Sequence, residues 1–283
     1  MSTDSTRTRS LRPLALSSLL LAVGGVGAYL RNRFQDSQVF WPERYPHGSW
    51  QPSTYGLKAR DAFFLTKDGL RLHAWWIPRA KARGTVLYCH GNSGNITTRV
   101  SALLQLSGMG LNVFAFDYRG YGRSEGKPSE AGLFLDVEAA HDHLCGPLSQ
   151  ASSSIVLFGH SLGGAVAIEA ARRREAAGLV VQSSFTQLRD IARSVVPWSP
   201  LGLIARNQFR SLGKVDSIAI PKLFIHGSDD PTVPIEMGRR LFEKAAEPKE
   251  WLEVPRAGHH DLHRFGGLRY KWRLQRFFRR CLS

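Results

Sequence analysis

Short, continuously apolar runs alternate along the chain with longer stretches whose apolar residues recur every three or four positions. The continuous runs are typical of strands buried on both faces of a sheet. They are GTVLYCH (84–90), LNVFAFD (111–117), SIVLFGH (154–160), GLVVQS (178–183), KLFIHG (222–227) and WLEV (251–254). Helical spacing follows these runs at 96–106, about 129–144, 162–174, 235–246 and 262–280. The alternation predicts an α/β fold with a mostly parallel central sheet and helices on both faces.

The stretch 62–77, AFFLTKDGLRLHAWWI, precedes this alternation and has a different pattern. It consists of two β-rich runs that meet at Asp68-Gly69. An Asp-Gly pair between two such runs is a strong signal of a tight hairpin turn. We therefore expect an antiparallel N-terminal hairpin at one edge of the sheet.

Residues 14–30, LALSSLLLAVGGVGAYL, contain no charged residue and are flanked by arginines on both sides. This segment is 17 residues long, the lower limit for a helix that spans a bilayer. We interpret residues 1–34 as a single-pass N-terminal membrane anchor and residues 35–283 as the folded domain. A cleavable signal peptide, followed by export, is the alternative, because Val26-Gly27-Ala28 offers small residues at the spacing of a cleavage site.

Composition indicates a globular domain and narrows the choice of partners. Apolar residues make up 43% of the chain, enough for a substantial core. The net charge of +15 suits nucleic acid or an anionic membrane surface. The sequence contains no nucleic-acid recognition module and no zinc-finger spacing, so we predict no nucleic-acid partner. The three cysteines are too widely spaced to predict a disulfide framework, and the oligomeric state stays unknown.

The motif GHSLGG (159–164) lies between a predicted strand and a predicted helix. This G-x-S-x-G pattern is typical of a sharp turn that exposes a nucleophilic serine at the carboxyl end of a sheet. Ser161 is therefore the candidate nucleophile. The backbone N–H of Leu162, at the start of the helix, points toward any oxyanion that forms beside it. A glycine-rich packing turn without chemistry is the alternative.

A serine hydroxyl needs a base to become a nucleophile, and the base needs a group that orients it. Two later loops supply these residue types, each after a predicted strand. IHGSDDPTVP (225–234) contains two adjacent aspartates, and AGHHDLH (257–263) contains three histidines and one aspartate. Serine, then a loop aspartate, then a loop histidine is the chain order of α/β-hydrolases. At this point the choice among the neighbouring aspartates and histidines stays open.

From about residue 40 onward, the chain resembles the α/β-hydrolases. The matching stretches are HGNSGN (90–95), FDYRGYGRSEGKPSE (116–130), GHSLGG (159–164), HGSDDPTVP (226–234) and GHHDL (258–262). Among these enzymes the chain is similar to the small N-terminally anchored serine hydrolases related to bud-emergence proteins. The resemblance implies an α/β-hydrolase fold and a catalytic triad of Ser161, Asp230 and His259. It also implies an oxyanion hole formed by the backbone N–H groups of Asn92 and Leu162.

The same motifs imply neither a cofactor nor a metal ion. The glycines of FDYRGYGRSEG lack the Walker spacing, and no dinucleotide fingerprint follows the first strand. His259 and His263 are spaced to share a helix face, but a zinc-protease helix reads H-E-x-x-H, whereas this stretch reads H-H-D-L-H. His90 is expected to shape the loop after its strand. Asp117 and Arg119 are expected to pair with each other.

The stretch 185–216 separates the strand at 178–183 from the strand at 222–227. The resemblance implies that this insert forms a lid. Its apolar residues, which favour an apolar acyl group, are Val195, Val196, Pro197, Trp198, Leu201, Leu203 and Ile204. We predict a serine hydrolase that cleaves carboxylic or lipid-type esters through an acyl-serine, held at the membrane by its N-terminal helix. The alternatives are a thioesterase or serine peptidase with the same triad, or a membrane-associated scaffold whose hydrolase activity is dispensable.

Overall fold

The computed structural model describes residues 39–195 and 208–283. Its strands are β1 Trp41–Pro42, β2 Arg60–Leu65, β3 Arg71–Ile77, β4 Thr85–Cys89, β5 Ser93–Gly94, β6 Asn112–Phe116, β7 Ile155–His160, β8 Gly178–Gln182, β9 Lys222–Gly227 and β10 Lys249–Val254. Eight strands form one sheet in the order β10-β9-β8-β7-β4-β6-β3-β2, and β1 pairs separately with β5. Parallel neighbours in such a sheet need crossover connections, which the helices supply.

The predicted hairpin lies at one edge of this sheet. β2 and β3 pair antiparallel, from Arg60 opposite Trp76 to Leu65 opposite Arg71. Gly69 in the turn has a φ of +83°, a backbone conformation that glycine adopts without a steric penalty. β3 is also antiparallel to β6, whereas every pair from β6 through β4, β7, β8 and β9 to β10 is parallel. The predicted fold, a mostly parallel sheet with an antiparallel hairpin, is confirmed.

The described helices are α1 Val100–Ser107, α2 Glu130–Cys145, α3 Leu162–Arg173, α4 Leu188–Val195, α5 Ile235–Lys244 and α6 Leu262–Cys281. All but α4 lie where helical spacing predicts them. Ser129 caps α2, because its Oγ accepts a hydrogen bond of 3.1 Å from the Gly132 N–H. That bond satisfies a backbone N–H that has no partner within the helix. The predicted start of this helix is therefore confirmed.

The helices cover both faces of the sheet and bury two apolar layers. Along β4, Leu87 faces the layer beneath α2, α3 and α5, whereas Val86 and Tyr88 face the layer beneath α1 and α6. Large apolar side chains buried this completely stabilise the fold by about 1.5–3 kcal/mol each. The two layers fix the strands, and the strands fix the loops that leave their carboxyl ends.

The expected pairing of Asp117 with Arg119 is wrong. Arg119 donates from Nε to Asp136 Oδ1 and from a terminal nitrogen to Asp68 Oδ2, each over 2.8 Å. Asp117 instead accepts a bond of 2.8 Å from the Ile96 N–H. In a strand, side chains alternate between the two faces, so residues 117 and 119 would share a face. β6 ends at Phe116, however, and this alternation does not continue to residue 119.

The segments predicted to be an anchor and a lid are described only in part. Residues 1–34, with the apolar segment 14–30, lie outside the described residues, as do positions 196–207 of the insert. The described part of the insert contains α4 and two buried aromatic side chains, Phe185 and Phe209. Within 39–195 and 208–283, no helix has the length and apolar character needed to cross a membrane.

Candidate active site

Ser161 occupies a strained turn between β7 and α3. Its backbone angles are φ 55° and ψ −120°, a region that non-glycine residues rarely adopt and that is found at functional sites. The turn is tied to the next strand, since the Ser161 N–H donates to the Gln182 carbonyl oxygen over 2.9 Å. The Ser184 hydroxyl donates to the Ser161 carbonyl oxygen, also over 2.9 Å. These bonds hold the serine side chain at the carboxyl end of the sheet.

Two glycines make the turn possible because backbone atoms fill the space where a side chain would lie. A methyl group on Gly159 would overlap the carbonyl oxygen of Gly163, and one on Gly163 would overlap the carbonyl oxygen of Cys89. Neither oxygen can move, since each belongs to a packed strand or helix. The G-x-S-x-G spacing is therefore a steric requirement of this turn.

Replacement of Gly163 by alanine is expected to lower the free energy of unfolding by about 3 kcal/mol or more, because backbone must shift to admit the methyl group. Urea denaturation followed by circular dichroism measures this loss. Gly213→Ala is the matched control, since the nearest atom to a methyl group there is 4.0 Å away. That variant is expected to change stability by less than about 1 kcal/mol, and an equal effect of the two substitutions would contradict the steric explanation.

Asp230 and His259 meet in a short, buried hydrogen bond. His259 Nδ1 lies 2.7 Å from Asp230 Oδ2, and the two residues are 6% and 8% exposed, His259 being the more buried. The second carboxylate oxygen of Asp230 accepts bonds of 2.9 Å from the N–H groups of Thr232 and Val233. With Nδ1–H directed to the carboxylate, His259 keeps Nε2 free to accept a proton. Among the adjacent acids, Asp230 is thus the one that orients a histidine.

His226 also contacts this carboxylate, although it was not among the predicted site residues. Its Nε2 lies 2.9 Å from the Val233 carbonyl oxygen and 3.4 Å from Asp230 Oδ2. Burial by itself raises the pKa of Asp230, but hydrogen bonds from His226 and His259 outweigh that effect and lower the pKa below its ordinary value. Asp230 therefore stays ionised throughout the neutral range.

The lowered pKa of Asp230 predicts a pH-dependent contribution to stability. A carboxyl whose pKa is lower in the folded state stabilises the fold above its unfolded pKa of about 3.9, and the contribution is lost as the pH falls below that value. Asp230→Asn should cost about 2 kcal/mol at pH 7. Urea denaturation of both proteins at pH values from 7 down to 3 should show the difference shrinking below pH 4, whereas a difference that is constant with pH would contradict this role.

The residues around His259 make different contacts from His259 itself. His160 Nε2 lies 3.0 Å from the His259 carbonyl oxygen, and their rings are 5.0 Å apart. His260 is exposed, with its ring 4.7 Å from that of His259. Asp261 accepts a bond of 2.7 Å from the Gly258 N–H. His263 is exposed in the first turn of α6. Of the three histidines in this stretch, only His259 bonds a carboxylate within the described part of the chain.

The loop after β4 passes directly beside the serine turn. A methyl group on Gly91 would lie 3.5 Å from Ser161 Cβ. The next residue, Asn92, is held by its carbonyl oxygen, which accepts bonds from the Trp41 N–H over 3.0 Å and the Tyr121 hydroxyl over 2.7 Å. Leu162 is the first residue of α3, so its N–H has no partner within the helix. Of the two residues predicted to bind an oxyanion, Leu162 directly follows Ser161, and Asn92 follows Gly91, which lies beside Ser161.

His90 and Asn95 shape this loop from within. His90 is completely buried, and its Nδ1 lies 2.7 Å from the Gly91 carbonyl oxygen. Burial lowers the pKa of His90 to about 3, helped by the charge of Arg99, so this imidazole is neutral. The Asn95 amide donates to the carbonyl oxygens of Glu43 and His47 over 3.1 and 3.0 Å. Both side chains fix the backbone of the loop that follows β4.

The site is assembled from three strands of the parallel part of the sheet. Ser161 follows β7, Asp230 follows β9 and His259 follows β10, and the carboxyl ends of parallel strands lie along one edge, where α/β proteins bind ligands. Across the described residues, no group of three or more histidine, cysteine or acidic side chains is arranged to hold a metal ion. The arrangement supplies a hydroxyl, an oriented imidazole and backbone N–H donors.

Comparisons with known proteins agree with this fold. Residues 80–212 match the family model described as serine aminopeptidase, S33. Uncharacterized protein Rv2307c of Mycobacterium tuberculosis is 37% identical over 257 residues, which cover 90% of each chain. The alpha/beta hydrolase domain-containing protein WAV2 of Arabidopsis thaliana is 32% identical over 89% of this chain and 91% of its own. The Pyrococcus furiosus esterase Pf2001 is 25% identical, with a TM-score of 0.72 over 86% of this chain and 100% of its own.

Proposed function

This chain belongs to the α/β-hydrolase superfamily, and we propose that it is a serine hydrolase that cleaves carboxylic or lipid-type esters through an acyl-serine intermediate. The observation that carries the proposal is the juxtaposition of a serine on a strained turn with a buried Asp230–His259 pair at the same edge of the sheet. The likeness to a solved esterase supports the choice of ester bonds.

In the first half of the proposed reaction, Ser161 Oγ attacks the ester carbonyl carbon while His259 Nε2 takes the hydroxyl proton. The carbonyl oxygen becomes an oxyanion that accepts hydrogen bonds from the N–H groups of Asn92 and Leu162. Collapse of this intermediate breaks the bond to the alcohol oxygen, which receives the proton from His259. The acyl group stays on Ser161.

In the second half, water attacks the acyl-serine and gives one proton to His259 Nε2. The second tetrahedral intermediate breaks the bond to Ser161 Oγ, which takes the proton back, and the carboxylic acid leaves. Asp230 stays ionised through both halves, since its pKa is lowered, and stabilises the imidazolium each time it forms. No cofactor or metal ion takes part in this proposed sequence.

We also propose that the apolar segment 14–30 anchors the enzyme to a membrane, as in the small N-terminally anchored hydrolases that the chain resembles. The uncharged run between flanking arginines supports this proposal. An anchor would hold the site close to lipid acyl groups, the substrates favoured by the apolar lid that we predict at 185–216. Extraction of the full-length protein from membranes by detergent, but not by alkaline carbonate, is the expected behaviour.

A serine peptidase is the second candidate, because the matching family model is described as serine aminopeptidase. The same acyl-serine chemistry acts on esters, thioesters and amides, and the triad does not choose the leaving group. A panel of matched esters, thioesters and peptide amides over several acyl lengths tests the choice. We expect kcat/KM to be highest for the esters, and faster turnover of the peptide amides would make the peptidase the better assignment.

A further inference from the structure

A cavity of about 350 Å³ opens beside the candidate active site, between the start of α1 and the start of α6. This volume lies within the range of small-molecule sites. Its wall includes Arg99, Phe158, His160, Gln182, His260 and Tyr270. His160 precedes Ser161 in the chain and bonds the backbone of His259. The cavity therefore borders the triad without being part of it.

Arg99 is the one arginine in the wall. One terminal nitrogen donates to the Ser93 carbonyl oxygen, but its buried Nε has no hydrogen-bond partner. It forms no ion pair with any carboxylate in 39–195 or 208–283, and Glu43, the acidic residue of the wall, is exposed. A half-buried guanidinium that forms no direct ion pair carries a desolvation cost, which the longer-range attraction to buried Asp117 offsets in part and an anionic ligand would offset further.

The other polar groups of the wall suit such a ligand. Burial lowers the pKa of His160, and partial desolvation where the exposed His260 ring meets the cavity lowers the pKa of His260; the charge of Arg99 adds to both shifts. Arg99 is the one residue of the wall with a permanent positive charge. The Tyr270 hydroxyl donates to Gln182 Oε1 over 2.6 Å, which leaves the Gln182 amide nitrogen to donate to a ligand. Tyr270 and Phe158 offer apolar surface to a carbon chain.

We propose that this cavity binds the free carboxylate of the substrate, so that the preferred substrates are esters that carry a second, unesterified carboxylate. The proposal rests on the esterase function proposed above. Arg99 binds the carboxylate while the ester carbonyl lies at Ser161. A monoanion fits better than a phosphate dianion, because the wall provides one arginine and also contains Glu43.

Two series of esters test this assignment in the full-length protein. One series carries a carboxylate on the acyl chain or on the alcohol, and the other carries a neutral carboxamide at the same position. We expect wild-type kcat/KM to favour the carboxylate series, and Arg99→Gln to reduce that preference by about ten- to hundredfold. The loss should fall mainly on KM, since the carboxylate is bound in both the ground state and the transition state.

Arg239→Gln is the matched control, because Arg239 is an exposed arginine paired with Glu253 outside the cavity. It should leave the preference as in the wild type. An equal loss on both ester series in Arg99→Gln would mean that Arg99 supports the loop structurally, and an unchanged preference would mean that the carboxylate binds elsewhere. Either result overturns the proposal.

A binding measurement tests the cavity independently of ester hydrolysis. Calorimetric titration of glutarate should show binding to the wild type and at least about tenfold weaker binding to Arg99→Gln. Equal binding to both proteins overturns the cavity assignment even if ester hydrolysis is detected. Phenyl phosphate should bind more weakly than glutarate, and tighter binding would overturn the choice of a carboxylate. If the protein binds glutarate through Arg99 but hydrolyses no ester, only the proposed function is refuted.

Discussion

Replacement of Ser161 by alanine is expected to lower kcat/KM for an aryl ester by roughly 10⁴- to 10⁶-fold, since loss of the nucleophile of such a triad removes the covalent route altogether. Spectrophotometric release of the aryl alcohol measures the loss. The fold should survive, because the substitution removes one oxygen atom and keeps the Cβ that the strained turn already accommodates. The residual activity of the variant comes from the oxyanion donors and from substrate binding.

Ser107→Ala is a suitable control, because Ser107 is also buried but lies at the end of α1. Its activity should stay within about twofold of the wild type. A Ser161→Ala enzyme that keeps most of its activity would show that another residue is the nucleophile. Urea denaturation of all three proteins distinguishes loss of chemistry from loss of structure.

Replacement of His259 by alanine is expected to lower kcat/KM by at least about 10³-fold, because Ser161 would then lack the group that takes its proton. His260→Ala is the matched control, one position along the same loop. It should cost less than about tenfold, since the His260 ring is exposed and bonds no carboxylate in the described parts of the chain. The comparison therefore changes one imidazole at a time in the same stretch.

Equal losses in the two histidine variants would contradict the assignment of His259 as the base. So would a larger loss in His260→Ala. Initial rates of aryl ester hydrolysis over a range of substrate concentrations, measured with the wild type and both variants at pH 8, give kcat/KM for this comparison.

Most of the fold follows from local patterns in the sequence. Each strand of the parallel sheet is a continuously apolar run, and its helix follows with apolar residues three or four apart, so burial on both faces is visible in the chain itself. The hairpin turn was predictable from Asp68-Gly69, since few residue pairs adopt the required backbone angles as readily. Chain order and strand position likewise indicate which edge of the sheet holds Ser161.

Contacts between distant segments could not be predicted from local sequence patterns. His226 reaches Asp230 because the loop after β9 folds back, and His160 reaches the backbone of His259 across 99 positions. Nothing in the spacing of either histidine specifies these partners. The expected partner of Arg119 was wrong for a related reason, since Asp68 and Asp136 come from the hairpin and from α2. The cavity at Arg99 likewise exists only once α1 and α6 pack beside each other.

We propose that Ser161 is a nucleophile activated by its surroundings. Labelling with a fluorophosphonate probe tests this proposal, since the probe reacts with activated serines and leaves ordinary ones untouched. We expect peptide mass mapping of the wild-type protein to place the label on the peptide that contains Ser161, and Ser161→Ala to remain unlabelled. Labelling of Ser161→Ala at the wild-type rate, or a label mapped to a different residue, would contradict the assignment.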